Sequence, residues 1–473
     1  MEPGRAPRLV AGDFEHPLDG PEGYEATVER VLEQVFLLDC LARTEGYYPV
    51  PLHERETVER HVDLDFAALY DAPPAERLER YLDVRFERLD PARSPWHLAA
   101  DVVPTAENVE TLPYLVDDLA HVRTARPPTG GAAATVDPPE SYGTFYRDGA
   151  SGSDGEPPTA GLVFEPAESD TMERAWLGPG YPQRVNKLTL DALRRRTSGD
   201  GGSNAVSAAE FTIDVDIVCN DDSMRDESDV GRYYGLRELP SFDVSVHHGT
   251  TTAELAELLR ERKDFLHYIG HVTDDGIGCT DGHLDVETLP SVNVTAFLLN
   301  ACSSYAQGAA LVERGSRGGV ATLSRVGNAV ATDVGYVFAR LLNEGFTLRA
   351  ALSVVHRQFL TGYRYVALGD GALTLCQSKN GMLPALRVER SGPGTFEVET
   401  LSHPDQMYKP GAVVQALADR SSANHVSPGV WTMDLSGPEL DDHLAEATMP
   451  VEVDDDLRWS DEITAAEIAD LLD

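Results

Sequence analysis

Lysine is almost missing from this chain. It occurs only at Lys187, Lys263, Lys379 and Lys409, so nearly all of the positive charge is arginine. Asp and Glu number 79 against 39 Lys plus Arg, a formal charge of −40 with a pI near 4.6. No basic stripe is present to displace phosphate counterions, which argues against a nucleic-acid partner. No stretch approaches the roughly 18 apolar residues of a membrane span, and the opening MEPGRAPRLVAGDFEHPLDG has no apolar core of leader type. The cysteines, Cys40, Cys219, Cys279, Cys302 and Cys376, are odd in number and scattered. That pattern argues against a disulfide framework and for reduced thiols in a cytoplasm. There is no P-loop, no G-x-G-x-x-G after a strand and no G-x-S-x-G. Nucleotide and serine-hydrolase chemistry therefore have no support, and no cofactor is expected.

The acidity itself has three readings. A disordered acidic tail does not fit, because the carboxylates run along the whole chain and alternate with apolar residues. A basic partner would need only one acidic patch. Adaptation to molar salt fits best: there the Debye length falls to about 3 Å, so repulsion among surface carboxylates costs little. The composition is that of an acidic, halophilic proteome of archaeal type.

Residues 1–126 carry helical apolar spacing, as in Val28, Val31, Leu32, Val35 and Phe36, interrupted by a short strand, WHLAADVVP. They are expected to form a mostly helical N-terminal domain. Residues 127–160, rich in Pro, Gly, Ala and Ser, read as a linker or long surface loop. From 211 the period changes. FTIDVDIVC, FDVSVHH, DFLHYIGH, VTAFLLNAC and GGVATLS read as strands alternating with helices, the one at TTAELAELLRER with Thr252 as its cap. This indicates a parallel sheet covered by helices on both faces, with 161–380 as the α/β domain and 211–377 as its core. Residues 381–473 read as a small β-rich module ending in an amphipathic helix, with Ser460 as its cap.

Open parallel sheets bind ligands beyond the carboxyl ends of their strands. His271 ends DFLHYIGH and Cys302 ends VTAFLLNAC, and adjacent strands lie about 4.8 Å apart. An imidazole beside a thiol favours the nucleophilic thiolate. His247 and His248 end another strand and are candidates to line the same cleft.

HYIGH followed by LLNACSS, then RGGVATLS and ALGDGALTL, resembles the CHAT family of caspase-like domains over roughly 211–377. The resemblance implies a caspase-like fold and a cysteine endopeptidase acting on protein or peptide substrates. His271 would be the base and Cys302 the nucleophile, with His267 a core residue and Asn300 structural. It implies an oxyanion hole from the backbone N–H groups of Val272 and Cys302. Val272 stands where the family has Gly. Asp274, Asp275 and Asp333 are candidate specificity residues that would favour a basic residue at the cleavage position. A caspase-like partner-binding module without turnover is the alternative, and a regulatory protein partner could engage the N-terminal domain. A zinc site from His271, Cys279, His283 and Cys302 has the right donor types but lacks paired C-x2-C spacing, so no metal is expected.

Overall fold

The computed structural model describes residues 96–472 apart from 104, 119, 125–162, 165–170, 198–211, 222–228, 235, 237–240, 360–361, 379–382, 405–411, 415–424, 428 and 455. The helical readings before residue 96 and the Pro/Gly-rich 127–160 segment lie outside the described residues.

A ten-stranded sheet organises the molecule. Its strands are β1 (Trp96–Val102), β2 (Ala120–Thr124), β3 (Thr171–Leu177), β4 (Asn186–Lys187), β5 (Thr212–Cys219), β6 (Ser241–His248), β7 (Lys263–Ile269), β11 (Val294–Asn300), β12 (Gly318–Thr322) and β13 (Tyr365–Gly369). A small antiparallel hairpin unit between β7 and β11 supplies β8 (Val272–Thr273), β9 (Gly276–Cys279) and β10 (Gly282–Leu284). The order across the large sheet is β2-β1-β3-β4-β13-β12-β11-β7-β5-β6. Every pairing is parallel except β12 with β13, which run antiparallel. The expected parallel α/β architecture is borne out. Strands β1 and β2, within the stretch read as a helical N-terminal domain, extend the same sheet as the core. The sequence marks WHLAADV as a short strand but cannot show its partner.

The core strands are apolar on both faces because both faces are covered. The pleat sends Phe265, Ile269, Ala296 and Leu298 to one side, against helices α4 (Asn328–Glu344) and α5 (Leu348–Gln358). It sends Leu266, Tyr268, Phe297 and Leu299 to the other, against α2 (Thr252–Arg260) and α3 (Tyr305–Arg314). Each Leu, Ile or Phe among them contributes about 1.5–3 kcal/mol on burial. Gly319 of the R-G-G word lies flat on Phe297: an added Cβ would meet its ring at 2.4 Å. The cap of α2 is Thr251, one residue before the expected Thr252. It forms a capping box with Glu254, while the Thr252 amide donates to Asp281.

The G-D-G word closing the core holds the two sheet halves together. Asp370 is fully buried and accepts from both Arg196 (2.5 Å) and Arg317 (2.9 Å). Arg196, on α1 (Leu190–Thr197), also reaches Asp118 at 2.7 Å. Burial alone would push the Asp370 carboxyl up, but the two guanidiniums outweigh it and hold it below the usual carboxylate range.

The C-terminal region is β-rich, as expected. A five-stranded sheet contains β14 (Leu383–Gly392), β15 (Thr395–His403), β16 (Gly429–Ser436), β17 (Pro450–Val453) and β18 (Asp456–Trp459) in the order β16-β15-β14-β17-β18. Helices α6 (Gly437–Leu444) and α7 (Ala465–Leu471) cover it. The cap of α7 is Thr464, paired with Glu467, in place of the expected Ser460. That serine instead bonds Met449 and Ala447 across the module. Arg340 of α4 stacks on Trp459 at 4.1 Å and reaches Asp461 and Glu462 at 2.5 Å each, fastening the module to the core.

Candidate active site

Three adjacent strands end in register. Cys219 of β5 and Asn300 of β11 both pair with Ile269 of β7. Two residues beyond that rank the chain carries Asp221, His271 and Cys302, each just past the end of its strand. The sequence pattern marks His271 and Cys302 but not Asp221. The signal for Asp221 lies in the register of FTIDVDIVCND against DFLHYIGH, which only the pairing reveals.

The loops holding these residues are closely tied. Asn220 is fully engaged: its amide donates to the Ile269 carbonyl (2.9 Å) and its side chain donates to the Gly278 carbonyl (3.0 Å). Its side-chain oxygen accepts from the Thr250 amide (2.8 Å) and hydroxyl (2.9 Å). The Tyr268 hydroxyl lies 3.0 Å from the His271 carbonyl and 2.7 Å from that of Gly278. Burial, with Cys279 and other neighbours, raises the Tyr268 pKa, so it stays a neutral donor. Gly270 is required here, because an added Cβ would meet the Tyr268 oxygen at 2.6 Å.

Out of this frame the His271 ring projects, 67 % exposed, with Nε2 2.8 Å from Oδ2 of Asp221, whose side chain is 13 % exposed. Cys302 is half-buried. Its sulfur lies 3.4 Å from the Val326 amide, which donates to it, and 3.5 Å from the Val326 carbonyl. The bonded partner of the imidazole is thus Asp221, and those of the thiol are on the Val326 backbone. Ser303, next to the thiol, has φ +52°, a conformation uncommon outside glycine. Such strain persists only where the surroundings enforce it, and it turns the chain sharply just after Cys302.

Two helices begin beside the sulfur. The N-cap of α3 is Ser304, and that of α4 is Gly327, the neighbour of Val326. Neither helix has a side-chain cap bond or an acidic residue in its first turn.

The amides around Cys302 are unevenly used. Ala301 donates to Leu299, Ser303 to Ser324 and Ser304 to Thr322, whereas the Cys302 amide has no acceptor among the described residues. Val272 pairs with Ile277 in the hairpin, but the bonded pair is the neighbouring one, where the Gly278 amide donates to the His271 carbonyl at 2.8 Å. Bonded and non-bonded pairs alternate in antiparallel ladders, so the Val272 N–H turns away from the hairpin. Val272 has no positive φ and its side chain is buried in the core.

The other singled-out residues fall as follows. Asp274 and Asp275 are exposed at the turn between β8 and β9, and Asp333 is exposed on α4. His267 is buried, 3.1 Å from the Tyr234 hydroxyl. Asn300 is buried, donating to Ala331 and accepting from Tyr365. His247 lies 3.0 Å from Asp216, and with His248 it lines a separate cleft of about 350 Å³. Cys219 and Cys376 are buried. Burial and the nearby Asp281 push the Cys279 thiol up to about 11. No group of three or more metal-type side chains converges among the described residues. No helix among them is long and apolar enough to cross a membrane.

No family model and no curated protein matches the chain. Among solved structures, the chain is similar to the Arg-specific cysteine proteinase gingipain R, with a TM-score of 0.38 and 11 % identity, over 65 % of this chain and 85 % of that one. A complex of the pro- and mature domains of Porphyromonas gingivalis RgpB gives 0.37 and 11 %, over 64 % and 86 %.

Proposed function

We propose that the chain is a cysteine endopeptidase of CHAT-like type, with Cys302 as nucleophile, His271 as base and Asp221 as the residue that aims the imidazole. The observation that carries this reading is the single rank of acid, imidazole and thiol beyond three parallel strands, with Asp221 bonded to His271 at 2.8 Å. The sulfur attacks the scissile carbonyl carbon, and His271 passes its proton to the leaving amine as the C–N bond breaks. Water, deprotonated by His271, then cleaves the thioester and returns the sulfur. The free Cys302 amide and the outward Val272 amide are the candidates for the oxyanion. Asp274, Asp275 and Asp333 remain the proposed source of any preference for basic residues.

The thiol's bonds to Val326 favour a second reading, a partner-binding module without turnover. Incubating the protein in molar salt with a proteome-derived peptide library separates the two. Cleavage by the wild type, lost in Cys302→Ala, and a trapped acyl adduct on Cys302 support the enzyme. Intact peptides with every variant, at any salt concentration, would leave the binding module.

A further inference from the structure

We propose that β6 is a self-complementary edge through which two copies of this chain pair antiparallel about Ser245. The inference stands apart from the peptidase reading, since β6 lies two strands away from β7, which leads to His271.

Strand β6 ends the ten-stranded sheet, with no described strand on its outer side. Such an edge offers a row of backbone donors and acceptors, which proteins ordinarily cover or break with charge, proline or a bulge. Here SFDVSVHH runs for eight residues in unbroken register with β5. It contains neither proline nor lysine, and Val246 is 43 % exposed.

The direction of its free groups follows from one bond. The Gly249 amide donates inward, to Cys219 of β5. The His248 carbonyl on the same peptide therefore points outward, and by alternation so do the N–H and C=O groups of Phe242, Val244 and Val246. An antiparallel partner centred on Ser245 sets Val244 opposite the partner's Val246 and Phe242 opposite the partner's His248. These are the residues with outward groups, so each pair exchanges two hydrogen bonds. Any centre that paired an even position with an odd one would meet inward groups and form none.

The side chains agree with that register. Phe242 and Val244 pack on the core face, so the pairing continues their apolar row through Val246 into the same row of the second copy. On the opposite face Asp243 stands beside Asp214 of β5, two carboxylates directly across a strand pair. The register brings the partner's His247 to Asp243, at a non-bonded pair where side chains come closest. Glu254, Glu257 and Glu261 line the cleft at the His247 end, and each chain carries a charge of −40. Closure therefore needs salt to screen the two copies.

Disulfide trapping in molar salt reads the register directly. Ser245 meets its own copy at a non-bonded pair, with Cβ atoms about 4.5–5.5 Å apart, near the span of a disulfide. Mild oxidation should convert the full-length Ser245→Cys protein to covalent dimer, while Ser241→Cys and the wild type stay at 51.4 kDa. Light scattering should show the wild type as a dimer in molar salt. Val246→Pro, which removes an outward N–H, and Val246→Glu, at an already exposed position, should each raise the dissociation constant at least tenfold with circular dichroism unchanged. A wild-type monomer at tens of micromolar in molar salt would overturn the proposal. So would a dimer that both Val246 variants leave intact, or equal trapping at 245 and 241.

Discussion

Oδ2 of Asp221 lies 2.8 Å from Nε2 of His271, and the carboxylate is largely covered while the ring is largely exposed. A covered acid can hold one orientation of an exposed imidazole, which is what the proposed base needs. Removing the base and removing its aim should therefore differ. His271→Ala should lower peptide hydrolysis about 100- to 10,000-fold. Asp221→Ala should cost less, with kcat falling more than KM changes, and Asp221→Asn should recover part of the loss by keeping a hydrogen bond. Steady-state kinetics on a cleaved peptide from the library checks the order. Equal loss in all three variants would make Asp221 part of the fold alone.

Val272→Gly should lower stability and rate together. A glycine at this place, as in the CHAT family that the sequence resembles, would suit a backbone needing positive φ, but Val272 has none and its side chain is buried in the cluster with Tyr268, Ile277 and Leu284. Losing that burial costs about 1.5–3 kcal/mol, and the glycine adds roughly 0.5–1 kcal/mol of chain entropy. Urea unfolding with parallel hydrolysis assays measures both. A faster variant of unchanged stability would mean that valine obstructs the cleft.

Asp370→Asn should cost about 1–3 kcal/mol, because it leaves the half-buried Arg196 and Arg317 without their shared carboxylate, although Arg196 keeps Asp118. The pH dependence follows from the direction of the shift. The folded carboxyl titrates below its unfolded value near 3.8, so the unfolded chain takes up the proton first as pH falls. The stabilisation is complete above about pH 4 and is lost as pH falls further, through the folded value. Denaturant midpoints of wild type and Asp370→Asn should converge over that acid range. A gap that persists to the lowest pH would show that packing, not charge, is what Asp370 supplies.

Much of this architecture is legible in the sequence, and the exceptions share a cause. DFLHYIGH and VTAFLLNAC read as buried strands because continuous apolar runs need cover on both faces, and their terminal His271 and Cys302 follow from that. Asp221 does not stand out, because an acid after a strand is ordinary in a chain with 79 Asp and Glu; only the register of β5 against β7 marks it. The caps fall at Thr251 and Thr464 instead of Thr252 and Ser460, since several hydroxyls compete near each helix start and the capping box decides among them. Strand β1 is a local pattern, but β2, at the end of the stretch read as helical, is not, and the place of both in the large sheet depends on the contact of β1 with β3, far along the chain. The role of Asp370 likewise needs Arg196, which is remote in sequence.

The acidic composition should make stability depend on salt. Diluting from molar salt to about 0.1 M lengthens the Debye screening distance to about 10 Å, and carboxylates then repel across the surface. The melting temperature followed by circular dichroism should fall on dilution. An unchanged value would mean that the acidity serves something other than life in salt.

The central claim is that Cys302 is an activated nucleophile served by His271, and competitive alkylation tests it most directly. The protein in molar salt is treated with limiting iodoacetamide, and each cysteine's labelling is followed by peptide mass spectrometry. Cys302 should be modified at least tenfold faster than Cys40, Cys219, Cys279 or Cys376, and His271→Ala should remove that preference. Slow, equal labelling of all five, or fast labelling of Cys302 that His271→Ala leaves unchanged, would contradict the account.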